Sequence, residues 1–163
     1  MTVRPATASD AAAIAAIINP IITGTTITFA ADPRAPSQIR DSIAASRGAY
    51  FVVEQGGAVA GFCNYTPFRG GAGYARTLEH TVVLASGARG AGLGRALMTA
   101  LEAHAIAAGG RSLVAAISAE NEGGLHFHAA LDFTEVGRVA QAGHKFDRWI
   151  DLVLMQKMLH GSA

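Results

Sequence analysis

The stretch Leu84 to Met98, LASGARGAGLGRALM, decides which fold the chain supports. It places Gly90, Gly92 and Gly94 at every second position, between an apolar run and an amphipathic one. Apolar residues recur at helical spacing from Leu93 onward, so the stretch predicts a turn leading from a strand into a helix. Backbone N–H groups of such a turn can converge on an anion at the helix N-terminus. A tight turn without a ligand fits the glycines equally well.

Two familiar phosphate-binding patterns fit this stretch poorly. A P-loop requires Lys-Ser or Lys-Thr directly after its last glycine, whereas Arg95 follows Gly94. A dinucleotide fingerprint requires G-x-G-x-x-G in the first βαβ unit, whereas several elements come before these glycines, which are spaced G-x-G-x-G. The remaining pattern, Arg-Gly-x-Gly-x-Gly after a buried strand, suits a pyrophosphate.

The length and charge of the chain indicate one domain, 1–163, that acts on small molecules. A chain of 163 residues buries on folding roughly 70% of the surface that its unfolded form exposes, so its core needs no disulfide or metal for support. Thirteen basic and twelve acidic residues leave a net charge of +1, and no basic stripe predicts nucleic-acid binding. Cys63, the one cysteine, excludes an internal disulfide or a cysteine-based zinc site, so a cytoplasmic location is expected.

The apolar segment Ala11 to Ile18 is interpreted as a helix rather than as part of a signal peptide. Ser9 and Asp10 precede it as helix caps, Asn19-Pro20 ends it, and no cleavage pattern follows. No apolar run reaches the length of about 20 residues that spans a bilayer, so no membrane partner is expected.

The order of predicted elements favours a mixed sheet. Helices are predicted from about Asp10 to Ile18, from Ser37 to Gly48, from Leu93 to about Gly109 and from Asn121 to Ala130. Strands are predicted at Val3–Ala6, Tyr50–Glu54, Val59–Tyr65, Thr77–Leu84, Ser112–Ile117, Phe133–Gln141 and Ile150–Met158, and the loop TGTTITFAADPRAP is expected to be partly extended. The order β-α-α-β-β-β-α-β-α-β-β favours an α+β, three-layer αβα fold over a doubly wound sheet.

With the elements placed, RGAGLGRALM resembles the acyl-CoA signature of the GNAT N-acetyltransferases. Five further segments are similar to the phosphinothricin and methionine sulfoximine acetyltransferase branch: TTITF, Tyr74–Val82, Ile117–Asn121, the His128-x-x-Leu131-x-Phe133 spacing and His144–Gln156. The resemblance spans nearly the whole chain. It implies a GNAT-like acyl-CoA N-acyltransferase fold with a central mixed β-sheet, acetyl-CoA as co-substrate, and a homodimer.

Acetyl-CoA is expected to bind along the central strand and the glycine turn. The turn would hold the pyrophosphate through its amides, with two arginines as extra cations: Arg89, Gly90, Ala91, Gly92, Leu93, Gly94 and Arg95. The resemblance implies that Val82, Val83 and Leu84 line the pantetheine arm and that Asn121 lies beside it. Asn121 also suits the N-cap of the helix that follows it.

Glu79 is the first candidate for the general base. It interrupts an apolar strand, where a carboxylate is costly unless it is paired or functional. The resembling family has its catalytic glutamate at this motif position. His128 matches a family histidine and is expected either to assist the base or to be structural, while His80 alternates away from Glu79 and is expected to pack on the opposite face. His126 and His128 are two positions apart on a helix, so no metal site is expected.

The acceptor is expected near residues flanking the glutamate strand and in two loops. Arg69 and Arg76 are candidates for a carboxylate, and Thr26, Phe29 and Lys145 occupy family segments. The sequence departs from the family at two places: Gly70 and Gly71 follow Arg69 where the family has a second arginine, and Asp132 replaces the glycine of the family's L-G-F. Met98 stands where some members have a tyrosine near the thiolate, so no general acid is assigned.

The main hypothesis is an acetyl-CoA-dependent transferase acting on the α-amine of a small amino acid analogue such as phosphinothricin, methionine sulfoximine or methionine sulfone. The alternatives are another amine acceptor, namely a polyamine, an aminoglycoside or a protein N-terminus, and a non-catalytic acyl-CoA-binding module. Dinucleotide binding has the least support.

Overall fold

The computed structural model describes residues 1–159 and has the predicted order of strands and helices. The strands are β1 Thr2–Pro5, β2 Tyr50–Gln55, β3 Ala58–Pro67, β4 Thr77–Leu84, β5 Ser112–Ser118, β6 Thr134–Lys145 and β7 Arg148–Met158. The helices are α1 Ala11–Gly24, α2 Pro36–Ala45, α3 Leu93–Ala107 and α4 Glu122–Ala129. No helix among the described residues is both long enough and apolar enough to cross a membrane.

The seven strands form one mixed sheet in the order β1-β2-β3-β4-β5-β7-β6. Every neighbouring pair is antiparallel except β4 and β5, which are parallel. Parallel neighbours need a long crossover connection, and α3 supplies it. The predicted α+β fold with a central mixed sheet is therefore confirmed.

The parallel pair β4 and β5 separates after a few residues. Thr77 to Glu79 pair with Ser112 to Val114, and no further pairs join the two strands. The outer edges of both strands stay paired, β4 with β3 as far as Leu84 and β5 with β7 as far as Ser118. A gap thus opens between β4 and β5 beyond Glu79, in the middle of the sheet.

Helices cover both faces of the sheet, as the three-layer prediction requires. Phe51, Val53 and Cys63 face α3 and belong to one buried apolar cluster. Tyr50, Val52 and Phe62 alternate with them and pack with α1 and α2 in a second cluster.

Helix α1 is longer than predicted, because Pro20 lies inside it rather than ending it. Ile18 and Ile22 on either side of Pro20 are both buried, so packing on the sheet continues the helix to Gly24. Helix α2 begins at Pro36, one residue before the predicted start at Ser37, since proline suits the first position of a helix.

The loop between α1 and α2 contains no strand, although Thr25 and Ala35 at its two ends have the extended backbone that the prediction of a partly extended loop allows. Its hydroxyl groups bind nearby backbone instead. The Ile27 N–H donates to Thr25 Oγ1 at 3.2 Å, and the Ala30 N–H donates to Thr28 Oγ1 at 3.3 Å. Such local bonds compete with strand formation.

Candidate active site

The gap between β4 and β5 is the mouth of a cavity of about 410 Å³. Both strands, α1, the loop after α1, α4 and β7 contribute to its walls. The lining residues are Ile18, Ile21, Ile27, Thr28, Phe29, Ala30, His80, Thr81, Val82, Val83, Ala115, Ala116, Ile117, Ser118, Asn121, His128 and Leu152. The lining contains no Asp, Glu, Lys or Arg, so the cavity is mostly apolar.

The glycine turn joins β4 to α3 and has the backbone shape that glycine allows. Gly90 and Gly92 have φ angles of 81° and 75°, in the left-handed region, and Gly92 is the N-cap of α3. A Cβ on either residue would occupy open space. The first N–H groups of a helix have no intrahelical acceptor, so the turn offers backbone donors and a partial positive charge to an anion.

The flanking residues of the turn have different surroundings. Leu93 is buried, so only its backbone can face a ligand. Gly94 is buried as well, and a Cβ there would come within 2.9 Å of the Phe127 ring. Arg95 donates from Nη2 to the Ala130 carbonyl at 3.0 Å and ties α3 to the end of α4. The exposed Arg89 makes no side-chain hydrogen bond within residues 1–159.

Beyond Glu79, the edge of β4 that faces β5 has no strand partner. Val82 and Val83 line the cavity, while Leu84 packs toward α3 and lies outside the lining. Asn121 lines the cavity too, and its Oδ1 accepts the Gly124 N–H at 2.9 Å, as an N-cap does.

Glu79 lies at the closed end of the gap, opposite Val114 in the last pair that joins β4 and β5. Its side chain is half-buried and makes no hydrogen bond or ion pair within the described part of the chain. Burial raises the pKa of its carboxyl group above the ordinary value. A carboxylate with a raised pKa and no partner is suited to accepting a proton.

His80 and His128 form a buried pair on the face of the sheet opposite Glu79, so His128 does not contact the glutamate. His128 Nδ1 donates to the Gly124 carbonyl at 2.7 Å, which leaves Nε2 as an acceptor. His80 Nε2 lies 2.9 Å from that atom and therefore donates to it. Burial, together with His128, lowers the pKa of His80 to about 3, and burial also lowers that of His128.

This histidine pair predicts that the protein loses stability in mild acid. Unfolded histidines take up a proton near pH 6.5, whereas His80 stays neutral in the folded protein until about pH 3, so stability is lost as pH falls below about 6.5. His80 contributes about 1.4 kcal/mol per pH unit in this range, and the lowered pKa of His128 adds a loss of the same sign. Urea unfolding between pH 7 and pH 5 should show this loss, and His80→Gln should make it less steep. His126→Gln, at an exposed position of α4, should leave it unchanged; a slope equally steep in His80→Gln would contradict the assignment.

Lys145 holds the loop after α1 rather than facing the cavity. Its buried ammonium donates to the Ile22 carbonyl at 2.5 Å and to the Thr28 carbonyl at 2.8 Å. The first of these lies at the C-terminal end of α1, where a cation is favourable. A Cβ on the neighbouring Gly143 would come within 2.4 Å of the Phe29 ring. The β6–β7 hairpin thus fixes the loop that carries Phe29.

Three other predicted acceptor residues lie outside the cavity lining. Arg69 and Arg76 are exposed between β3 and β4, and neither side chain makes a hydrogen bond within residues 1–159. Thr26 is half-buried in the loop, next to lining residue Ile27. Trp149 on β7 is 61% exposed and packs against His144 on β6.

Several lining residues were not predicted. The sequence pattern predicted Ile18 as an ordinary core residue of a helix, and it predicted Leu152 as part of a late strand. Their apolar periodicity gave no sign of a cavity, because the same pattern serves any buried face. Some of them do lie in segments that resemble the family, although they were not predicted as site residues: Ile27 and Thr28 in TTITF, Thr81 in Tyr74–Val82, Ile117 and Ser118 in Ile117–Asn121, and Leu152 in His144–Gln156.

Comparison with known proteins shows that the sequence of this chain is similar to those of acyltransferases. The acetyltransferase (GNAT) family model matches residues 21–133. L-amino acid N-acyltransferase of Escherichia coli K12 is 34% identical, with 98% of this chain and 94% of the relative covered. Phosphinothricin N-acetyltransferase of Streptomyces viridochromogenes is 34% identical, covering 95% and 86%. L-methionine sulfoximine/L-methionine sulfone acetyltransferase of Pseudomonas aeruginosa is 35% identical, covering 95% and 92%.

Solved structures agree. A Salmonella typhimurium acetyltransferase with its cofactor acetyl-CoA superposes with a TM-score of 0.93 at 31% identity, covering 100% of this chain and 96% of the other. A Sinorhizobium meliloti phosphinothricin acetyltransferase in complex with acetyl-CoA superposes with a TM-score of 0.90 at 29% identity, covering 97% and 88%.

Proposed function

Because the chain belongs to the GNAT family of acetyltransferases, we propose that it acetylates the α-amine of a small amino acid analogue such as methionine sulfone, methionine sulfoximine or phosphinothricin. The chain is an acetyl-CoA-dependent N-acetyltransferase of the GNAT type. The observation that carries the proposal is the position of Glu79 at the closed end of the gap whose other end is the glycine turn. The proposal treats 1–163 as one catalytic domain.

The residues of the gap fit acetyl-CoA, which supplies the thioester. The open space over Gly90 and Gly92 suits a pyrophosphate held by backbone N–H groups, with the exposed Arg89 nearby. The unpaired edge of β4 offers backbone donors and acceptors to the amides of a pantetheine arm. Val82, Val83 and Asn121 would line that arm.

Glu79 would take the proton of the acceptor amine, directly or through a water. An α-amine has a pKa of about 8, so it must lose a proton before it can attack a thioester near neutrality. Because burial raises the pKa of Glu79, this pKa lies closer to the pKa of the amine, which favours proton transfer between them. His128 would keep the α4 wall of the cavity in place through its bonds to His80 and Gly124.

The walls on the acceptor side favour a neutral side chain. Ile21, Ile27 and Phe29 supply apolar contact, and Lys145 holds the loop that contains Thr26 through its bond to the Thr28 carbonyl. Arg69 and Arg76 would attract an anionic amino acid at the surface. Phosphinothricin carries an anionic phosphinate, which the lining has no Arg or Lys to pair.

An acceptor panel tests the proposal. Thiol release from acetyl-CoA should be fastest with L-methionine sulfone and L-methionine sulfoximine, and kcat/KM for phosphinothricin should be lower by about 10-fold or more, the cost of an unpaired anion. Spermidine, kanamycin and an alanine-initiated peptide represent the alternative acceptors. If kcat/KM for any of these three acceptors exceeded kcat/KM for L-methionine sulfone, the amino acid proposal would be rejected.

The proposal also includes a cytoplasmic location, which the single cysteine favours, and a homodimer, which the resemblance implies. Large apolar side chains are exposed on the β6–β7 hairpin, among them Val136, Phe146 and Trp149. A second copy covering them would remove that apolar surface from water.

A further inference from the structure

A second cavity of about 750 Å³ lies at the opposite end of β4 from the glycine turn. It extends around the end of the sheet from α2 to the last turn of α3. Its polar walls come from Arg34, Ser42, Arg47, Tyr50, Asn64 and Thr66, and the lining contains no aspartate or glutamate. The cavity is therefore positively charged and suits an anion.

The strand register places this cavity next to Glu79. Thr66 pairs with Glu79 across β3 and β4, and residues paired in this way share a face of the sheet. Asn64 pairs in the same manner with Thr81, which lines the first cavity. Glu79 thus lies on the strip of β4 that separates the two cavities.

Arg34 is fixed in place by its backbone, and its guanidinium has no charged partner in the part of the chain that the structure describes. The Arg34 N–H donates to Asn19 Oδ1 at 2.8 Å, and Asn19 Nδ2 donates to the Arg34 carbonyl at 3.0 Å, so α1 holds the residue. Its guanidinium donates from Nη2 to Ser42 Oγ at 2.8 Å. Within residues 1–159 it forms no ion pair, which leaves most of its donors available.

A buried hydroxyl faces the same region. Tyr50 is 2% exposed, lines the cavity, and its hydroxyl makes no hydrogen bond within the described residues. Burial raises the pKa of Tyr50, and the nearby positive charge of Arg34 partly opposes the rise. An unpaired buried hydroxyl is costly unless a ligand completes it.

From these observations we propose that the second cavity binds the carboxylate of the acceptor, with Arg34 as the principal cation and Tyr50 and Asn64 beside it. Guanidinium binds carboxylate through two parallel hydrogen bonds, and partial burial strengthens the contact. An amino acid anchored there would present its amine toward Glu79. This inference rests on the proposed function, and it assigns the carboxylate to a residue other than the exposed Arg69 and Arg76.

The test compares two acceptors that differ only in the carboxylate, L-methionine sulfone and 3-(methylsulfonyl)propylamine. Arg34→Gln should raise KM for methionine sulfone by about 30-fold, as expected when a charged hydrogen-bonding partner is lost. It should leave kcat within about 3-fold and leave kcat/KM for the amine unchanged. Arg34→Lys should recover part of the loss. Arg40→Gln, at an exposed position of α2 outside the cavity, should match the wild type.

Equal increases in KM for both acceptors, or no increase for methionine sulfone, would overturn the inference. Titration calorimetry of methionine sulfone into the protein saturated with coenzyme A separates this failure from that of the proposed function. Binding that Arg34→Gln weakens, without turnover, supports the cavity and rejects the amino acid reaction. Turnover of methionine sulfone with equal binding by wild type and Arg34→Gln supports the reaction and rejects the cavity.

Discussion

Replacing Glu79 by glutamine should lower kcat by about 10²-fold to 10⁴-fold, the range that loss of a general base produces. Glutamine keeps the size of the side chain but cannot accept the proton of the amine. KM for acetyl-CoA should change little, because the glycine turn lies at the other end of the gap. Glu122→Gln, at an exposed position of α4, is the matched control and should retain wild-type kcat.

The pH profile gives an independent readout of the same residue. The raised pKa of Glu79 means that the wild-type rate should climb through a titration above the ordinary glutamate range, and this limb should be absent in Glu79→Gln. Folding favours the protonated form of Glu79, so its charge reduces stability at pH values above the folded pKa. Glu79→Gln should consequently be at least as stable as the wild type at pH 7.5. Wild-type kcat in a folded Glu79→Gln would rule out the assignment.

Replacing Gly92 by aspartate should raise KM for acetyl-CoA by about 100-fold, because like charges placed together cost several kcal/mol. The open space over Gly92 is where the new carboxylate would meet the pyrophosphate, and it would also occupy the positive end of α3. kcat at saturating acetyl-CoA should fall far less than kcat/KM. Steady-state kinetics with varied acetyl-CoA measures the effect.

Gly92→Asn is the matched control for this substitution. Asparagine has nearly the same shape as aspartate and, like it, tolerates the left-handed conformation at φ 75°. Its KM for acetyl-CoA should stay within about 10-fold of the wild type, since it adds bulk without charge. Similar KM values for the two variants would mean that the turn does not hold a phosphate group.

The local part of the fold could be predicted because it depends on residues close together in sequence. Asn121 followed by an amphipathic run predicted a capped helix, and the Asn121 side chain caps α4. Alternation along Thr77–Leu84 predicted that His80 and Glu79 face opposite sides of the sheet, as they do. Pro20 misled the prediction, since burial of Ile18 and Ile22 outweighs the one hydrogen bond that proline removes.

The sequence by itself determined the order of elements, the α+β class, the glycine turn and the position of a carboxylate, Glu79, on the central strand. These features follow from periodicity, caps and glycine conformation, which act over a few residues. Only the tertiary structure decided the gap between β4 and β5, the contact of His80 with a histidine 48 positions away, and the bond from Lys145 to Thr28 across 117 positions. Such contacts arise from strand order, with β7 inserted between β5 and β6. No local pattern encodes that order, because it is the packing of whole strands and helices that selects it.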